Sequence, residues 1–148
     1  MDDTLRRARA DYRWDGVERM PYKDDGAAPF RAISRDVLFS EPALGCELRY
    51  FEMEAGGHST LERHEHWHAV MILRGRGTCL VGARVREVAE RDLVTIPSNT
   101  WHQFRASAGQ KMGFLCMVNR ERDTPVLPSE AELAALRADP AVARFLDS

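Results

Sequence analysis

Between residues 46 and 118 short apolar segments alternate with turn signals, with a break roughly every eight to twelve residues. "CELRYFEME" is followed by "AGG", "HSTLERH" leads into "EHW", and "HAVMILR" runs into "GRG". "TCLV", "RVREVA", "LVTI" and "WHQFRAS" are each closed by a turn-forming group, and "KMGFLCMV" ends the series. Segments this short bury their apolar faces as strands of a sandwich or barrel. No helix-length periodic stretch interrupts them, which disfavours a parallel sheet with crossover helices. The expected fold class is therefore all-β.

The flanks differ from this core. Residues 1–13 read as a helical turn or two, or a loose arm. "DGVERMPYK" reads as a short extended segment ended by the turn cluster "DDGAAP", and "FRAISRDVLF" (30–39) alternates as a strand does. At the other end, "SEAELAALRA" begins with Ser129 and places Glu132 three residues on, a capping box before an Ala/Leu-rich run. In "DPAVARFL", Asp139 is positioned as an N-cap and Pro140 at the first helical position. Two short helices should pack outside the β core, with "DTPVLP" as a linker before them. The whole, 148 residues, is the size of one domain. It divides into an N-terminal extension (1–45), a barrel core (about 46–118) and a C-terminal helical tail (128–148).

Several function classes are disfavoured by composition. A net charge of −2 argues against a dedicated nucleic-acid binder. No apolar run is long enough to span a membrane, and the charged start "MDDTLRRARADYRWDG" lacks the apolar region of a secretory signal. Cys46, Cys79 and Cys116 are odd in number and widely spaced in apolar contexts, so reduced thiols in a cytoplasmic protein are expected.

The chemistry concentrates in "ERHEHWHAVMILRGRG" (62–77). Residues two apart on a strand share a face, so Glu62 and His64 point the same way. A tight turn at "EHW" returns His68 on the next strand toward the same point. His102 opens a later strand after the Pro97–Asn99 loop. One carboxylate and three imidazoles converging inside a barrel suit a divalent first-row metal, with a position left open for water or substrate. The alternative is a cluster that merely solvates an exposed turn. Four donors at strand-compatible spacing, running straight into "AVMI", favour the metal.

These residues resemble the cupin superfamily. Its first motif is Gly, five residues, His-x-His, three or four residues, Glu, six residues, Gly. Here Gly56 is followed after five residues by Glu62-x-His64, after three more by His68, and after six by Gly75. Acid and imidazole have exchanged ends while the donor set is kept. In the second motif Pro97 and His102 match. Arg91 and Asn99 stand where glycines are usual, and Ala106 stands where Asn is usual; Asn tolerates left-handed φ better than most residues. A frame built on His64-x-His66 fails, because it needs Glu at Val70 or Met71 and Gly at His58. His66 is therefore expected in the turn near the site mouth.

The resemblance implies a double-stranded β-helix, a jelly-roll barrel that is commonly dimeric. It also implies one divalent metal per chain, with Mn or Fe first and Zn, Ni or Cu as alternatives. The leading expectation is a dioxygenase-like enzyme acting on a small polar organic molecule. The alternatives are a non-redox lyase, isomerase or decarboxylase, and a non-catalytic binding or sensing module. His66 and His58 are the candidates for a proton-transfer group, though His58 also fits a plain strand-edge residue. Phe104 should point inward beside His102, as pocket wall or core. Arg49, if it points inward with Phe51 and Met53, would hold a substrate carboxylate; the surface is the commoner place for arginine. Cys116 is a candidate for the wall opposite the metal, or for inert packing. Trp67 and Trp101 should face away from the site. Gly75, Gly77 and Gly82 read as turns. A homodimer is expected, with residues 17–39 adding strands to a partner's sheet.

Overall fold

The computed structural model describes residues 4–22 and 31–148; the "DDGAAP" turn cluster lies outside them. Eleven strands precede two helices. In chain order they are β1 (Ala8–Arg9), β2 (Arg13–Trp14), β3 (Arg19–Pro21), β4 (Arg31–Glu41), β5 (Cys46–His58), β6 (His68–Arg74), β7 (Arg76–Val81), β8 (Arg84–Ala89), β9 (Leu93–Ile96), β10 (His102–Ala106) and β11 (Met112–Asn119), then α1 (Glu130–Arg137) and α2 (Pro140–Asp147). Strands β8-β7-β10-β5-β11-β6-β9 run side by side in one curled sheet, with β4 on β5 and β3 on β4. All pairings are antiparallel. This is the expected jelly-roll barrel with short C-terminal helices.

Alternation places the core. Phe51 and Met53 of β5, Val70 and Ile72 of β6, Phe104 of β10 and Met112, Phe114, Cys116 and Val118 of β11 are buried in one cluster. The Phe114 ring lies 5.4 Å from Phe51 and 4.9 Å from Phe104, spacings at which aromatic pairs add to the area they bury. A second cluster forms where Val142 and Phe145 of α2 pack on Leu61, Leu80 and Trp101. Both helix starts are capped as the sequence predicts: Ser129 and Glu132 form the capping box, and the Asp139 side chain accepts from Ala141 and Val142.

The N-terminal segment differs from its sequence reading. Residues 8–14 form a two-strand hairpin, with Asp11 at φ 60° and Tyr12 at φ 53° in its turn. Strands β3 and β4 extend the chain's own sheet, whereas the sequence reading has this region pairing with a partner's. A buried ion cluster on the outer face of β5 fixes this arm. Arg19 binds Asp36 at 3.1 Å and Glu52 at 3.2 Å. Arg74 reaches the other Glu52 oxygen at 2.9 Å, and the Tyr50 hydroxyl donates to that oxygen at 2.9 Å. Tyr12 stacks on Tyr50, and Trp14 meets its edge. Breaking a buried, fully bonded pair on one side costs about 3–5 kcal/mol, so the cluster holds β5 and the inward-facing residues it carries.

Two further readings change. "HSTLERH" is a strand only at its first residue; beyond His58 the chain makes isolated bridges, Glu62 with His102 and Arg63 with Val126. Of the three glycines, Gly75 and Gly82 turn at φ 69° and 65°. Gly77 instead lies within β7, where a Cβ would stand 2.0 Å from the Arg105 carbonyl oxygen. Close approach of two backbones requires glycine there. No helix among the described residues is long and apolar enough to cross a membrane.

Candidate metal centre and its cavity

Three elements bring the imidazoles together. His64 comes from the bridged segment after β5, His68 opens β6 and His102 opens β10. The β10 strand is tied to the Glu62 backbone by bonds of 3.2 and 3.0 Å, and the His64 carbonyl accepts from the Asn99 N–H at 2.7 Å. Asn99 adopts φ 53° and Arg91 φ 74°, so both positions where the family motif has glycine are left-handed in this chain. The ligand-capable nitrogens of His64, His68 and His102 all lie within 4.8 Å of one another.

The rings are oriented for metal binding. His64 donates from Nδ1 to the His66 carbonyl at 2.9 Å, and His102 donates from Nδ1 to the Thr100 carbonyl at 2.9 Å. A carbonyl can only accept, so in the neutral form of each ring the lone pair sits on Nε2. His68 places Nδ1 3.1 Å from the Cys116 sulfur and Nε2 2.8 Å from the His64 Nε2. Fixing one ring nitrogen so that the other faces a metal is the outer-shell arrangement of histidine ligands.

Burial keeps His64 and His68 neutral. It lowers His64 to about 4, helped by His66, and lowers His68 to about 2, helped by His102 and His64. Two imidazolium charges 2.8 Å apart would repel by about 6 kcal/mol at an effective dielectric of ~20. Two facing Nε2 atoms at this separation hold either one shared proton or one cation bound to both. The residues present therefore fit a divalent metal.

A pH dependence of the metal-free protein follows. Both rings bind a proton less readily folded than unfolded, where the reference value is 6.5. Stability rises with pH, and so falls as pH is lowered, wherever the unfolded chain binds more protons than the folded one. It should decline as pH drops below about 6.5 and keep declining to about 4, where His64 begins to protonate in the folded state. Thermal melts in chelator at pH 7.5, 6 and 5 should give a falling Tm; a Tm unchanged across this range would contradict the neutral-ring assignment.

Around the imidazoles lies a cavity lined by Arg49, Phe51, Glu62, Phe104, Phe114 and Cys116, together with Ser59 and Thr60. Arg49, Phe51, Phe104 and Cys116 thus all line the pocket. Arg49 is 3% exposed, against the commoner surface outcome. Its guanidinium lies 4.9 Å from the centre of the Phe51 ring, and Nη2 is 3.5 Å from the Cys116 sulfur. Glu62 is buried and lines the same cavity, while the donor atoms that lie within 4.8 Å of one another are those of the three imidazoles. A mouth of about 190 Å³, lined by Tyr22, Arg35, Arg49, His66, Arg122 and Asp123, adjoins the cavity through the shared residues Tyr22, Arg49, Glu62 and His68.

His66 sits at that mouth, as its place in the turn implies. Its ring stacks 3.7 Å from His64, and Nδ1 bonds Asp123 at 2.7 Å. Asp123 also accepts from the Glu65 and His66 N–H groups at 2.8 and 3.2 Å. The Glu65 N–H, followed by His66, holds this carboxyl below the usual range. The sequence reading missed Asp123 by treating "DTPVLP" as a linker. His58 bonds the Ser59 carbonyl and stands 3.5 Å from Gln103, with Ser59 and Thr60 supplying the cavity wall near it. Trp67 is exposed, and Trp101 packs on the helical cluster beneath Arg63. The three cysteines are free. A larger cleft of about 460 Å³ runs from Cys79 and Arg84 to Leu93, but the histidine cluster lies elsewhere.

Comparison with known proteins adds four findings. A family model described as the cupin domain matches residues 49–118. The 1-methylthio-D-xylulose 5-phosphate methylsulfurylase of Rhodospirillum rubrum is 61% identical over 146 residues, covering 99% of this chain and 94% of that protein. The crystal structure of a cupin 2 conserved barrel domain protein from Rhodopseudomonas palustris superposes with a TM-score of 0.90 at 57% identity, covering 95% of this chain and 97% of that one. A cupin-2 domain structure from Rhodospirillum rubrum gives 0.88 at 60% identity, with 97% of each chain covered. Identity of this extent over nearly the whole length, with a family match spanning the barrel, makes this chain a member of the cupin family.

Proposed function

We propose that the protein is a metal-dependent enzyme that removes the methylthio group from a 1-methylthio-ketose 5-phosphate, by sulfur transfer to a thiol. The observation that carries this reading is the 61% identity, over 99% of the chain, to a protein bearing that activity in its name. Sulfur transfer takes the place of the oxygenase chemistry that leads the sequence reading, and because it reduces carbon and oxidises sulfur it also differs from the non-redox lyase, isomerase and decarboxylase alternatives.

His64, His68 and His102 would hold the metal, with Glu62 as a fourth donor from the same cavity wall. Imidazole and carboxylate donors suit a first-row divalent ion such as Mn or Fe. The metal when bound supplies Lewis-acid polarisation of a substrate oxygen.

The chain supplies the sulfur acceptor. In a 1-methylthio-2-ketose the C–S bond is adjacent to the carbonyl carbon. Cys116 lines the cavity beside His68 and Arg49. Burial pushes its thiol up, and the Arg49 charge opposes that shift. The Cys116 sulfur attacks the methylthio sulfur and forms an S–S bond. The C1–S bond breaks, its electron pair stays with the sugar, and the thiol's proton ends on C1. The balance is CH3S–CH2–C(=O)R plus Cys116–SH, giving CH3–C(=O)R plus Cys116–S–S–CH3. Carbon is reduced and sulfur oxidised. A second thiol, a small-molecule reductant, then exchanges with the mixed disulfide and restores Cys116.

The test is product analysis. Manganese-loaded protein with 1-methylthio-D-xylulose 5-phosphate and glutathione should yield the 1-deoxy-ketose phosphate and a methylsulfanyl mixed disulfide, with no oxygen consumed. An oxygenated product with stoichiometric oxygen uptake, or no product at all, would overturn the reading. A homodimer belongs to the same proposal. It is supported by exposed Phe39, Met71, Leu93 and Met117 on β4, β6, β9 and β11, a larger apolar display than isolated surface residues make.

A further inference from the structure

A buried guanidinium that leaves a donor unused is costly, and Arg49 is such a group. It is 3% exposed, and among the described residues its Nε has no hydrogen-bond partner. Its neighbours are a thiol sulfur and the face of Phe51. Leaving a buried donor unpaired costs about 1–3 kcal/mol, more where the group is charged. A site that tolerates this cost is built to receive an acceptor from outside.

The acceptor it suits is an anion. Arg49 lines both the inner cavity and the mouth, so it faces the passage between them. Two more guanidiniums share the mouth, Arg35 from β4 and Arg122 from the segment after β11. Arg35 lies over the Tyr22 ring at 5.4 Å, and Tyr22 meets Phe51 edge-on at 4.8 Å, which carries the wall from mouth to interior. Arg122 Nη1 is anchored on the Asn119 carbonyl at 2.9 Å and on Glu47 at 3.3 Å. The mouth carboxylate Asp123 already accepts from Glu65 and His66. Glu62 lines the mouth on the same wall as the histidines.

We infer that Arg35, Arg49 and Arg122 form the subsite for the phosphate of a sugar-phosphate ligand whose carbonyl end reaches the imidazoles. The inference rests on the proposed function for the ligand's class, and on Arg49 and the mouth for the subsite. Planar guanidiniums recognise phosphate through paired hydrogen bonds, and three in one opening provide both attraction and orientation. They would place a ketose with its phosphate outward and C1 toward Cys116.

D-Xylulose 5-phosphate and D-xylulose both lack the methylthio group, so they probe binding without turnover. In calorimetric titration of the manganese-loaded protein, the phosphate ester should bind at least ~30-fold more tightly than the free sugar. Arg35→Gln and Arg122→Gln together should cut that preference by about 10-fold, with metal content, Tm and D-xylulose affinity unchanged. Lysine at the same two positions should restore only part of it, because the ammonium keeps the charge but not the paired hydrogen bonds. Equal affinity for the two sugars, or a preference that survives in the double variant, would overturn the subsite. A preference that depends on these arginines without turnover of the methylthio substrate would keep the subsite and reject the sulfur-transfer reading. Turnover indifferent to the arginines would do the reverse.

Discussion

Alanine at His102 should empty the metal centre, with metal content falling by at least about 10-fold and turnover by about 10³-fold. His102 is one of three imidazoles within mutual reach, and its Nδ1 is spent on the Thr100 carbonyl, so Nε2 is the nitrogen that faces the cavity. Removing it leaves two nitrogens 2.8 Å apart and a void beside Phe104. Glu62→Ala separates the possible roles of the carboxylate. As a metal donor Glu62 should lower metal content nearly as far as His102 does. As a wall residue alone, it should leave content near wild type. Elemental analysis of the purified variants reads both outcomes, and near-ultraviolet circular dichroism shows whether the barrel has survived. Full metal content in His102→Ala would remove the imidazole trio as the centre.

The parts of this site that were legible in sequence are those set by local geometry. A left-handed turn at Asn99 is readable because Asn is tolerated there, and it is found at φ 53°. Ser129 and Glu132 announce a helix start by spacing alone. Strand alternation carries His68, Phe104 and Cys116 inward, and it carries Arg49 inward against the general preference of arginine for solvent. What could not be read depends on segments far apart in the chain. Asp123 lies 58 residues from the Glu65 amide it accepts from, and no local pattern connects them. Arg35 and Arg122 meet the histidines only after β4 folds back on β5 and the chain leaves β11. The N-terminal hairpin hides for another reason. Its turn uses Tyr12 at positive φ, an unfavourable residue for that conformation, and the compensation comes from Tyr50 stacking and the Glu52 ion cluster on distant β5.

Serine at Cys116 should reduce turnover by about 10²–10³-fold while leaving the metal bound. The substitution discriminates because Cys116 stands in two relations at once. Its sulfur lies 3.1 Å from His68 Nδ1, where it can accept the ring proton and keep Nε2 directed at the metal. It also faces the cavity as the thiol that the proposed sulfur transfer needs. A serine hydroxyl can accept the same hydrogen bond, so His68 should stay oriented. An alkoxide is a far weaker partner for divalent sulfur than a thiolate is, so acceptance of the methylsulfanyl group should fail. Cys116→Ala removes both relations and should additionally loosen the metal, by about 10-fold for a lost outer-shell partner. Wild-type protein mixed with substrate and no external thiol should release product in one burst, leaving a methylsulfanyl adduct on Cys116 by peptide mass spectrometry. That adduct should disappear on addition of glutathione. If the serine variant turns over at the wild-type rate, Cys116 is a positioning residue for His68, and the external thiol takes the methylsulfanyl group directly.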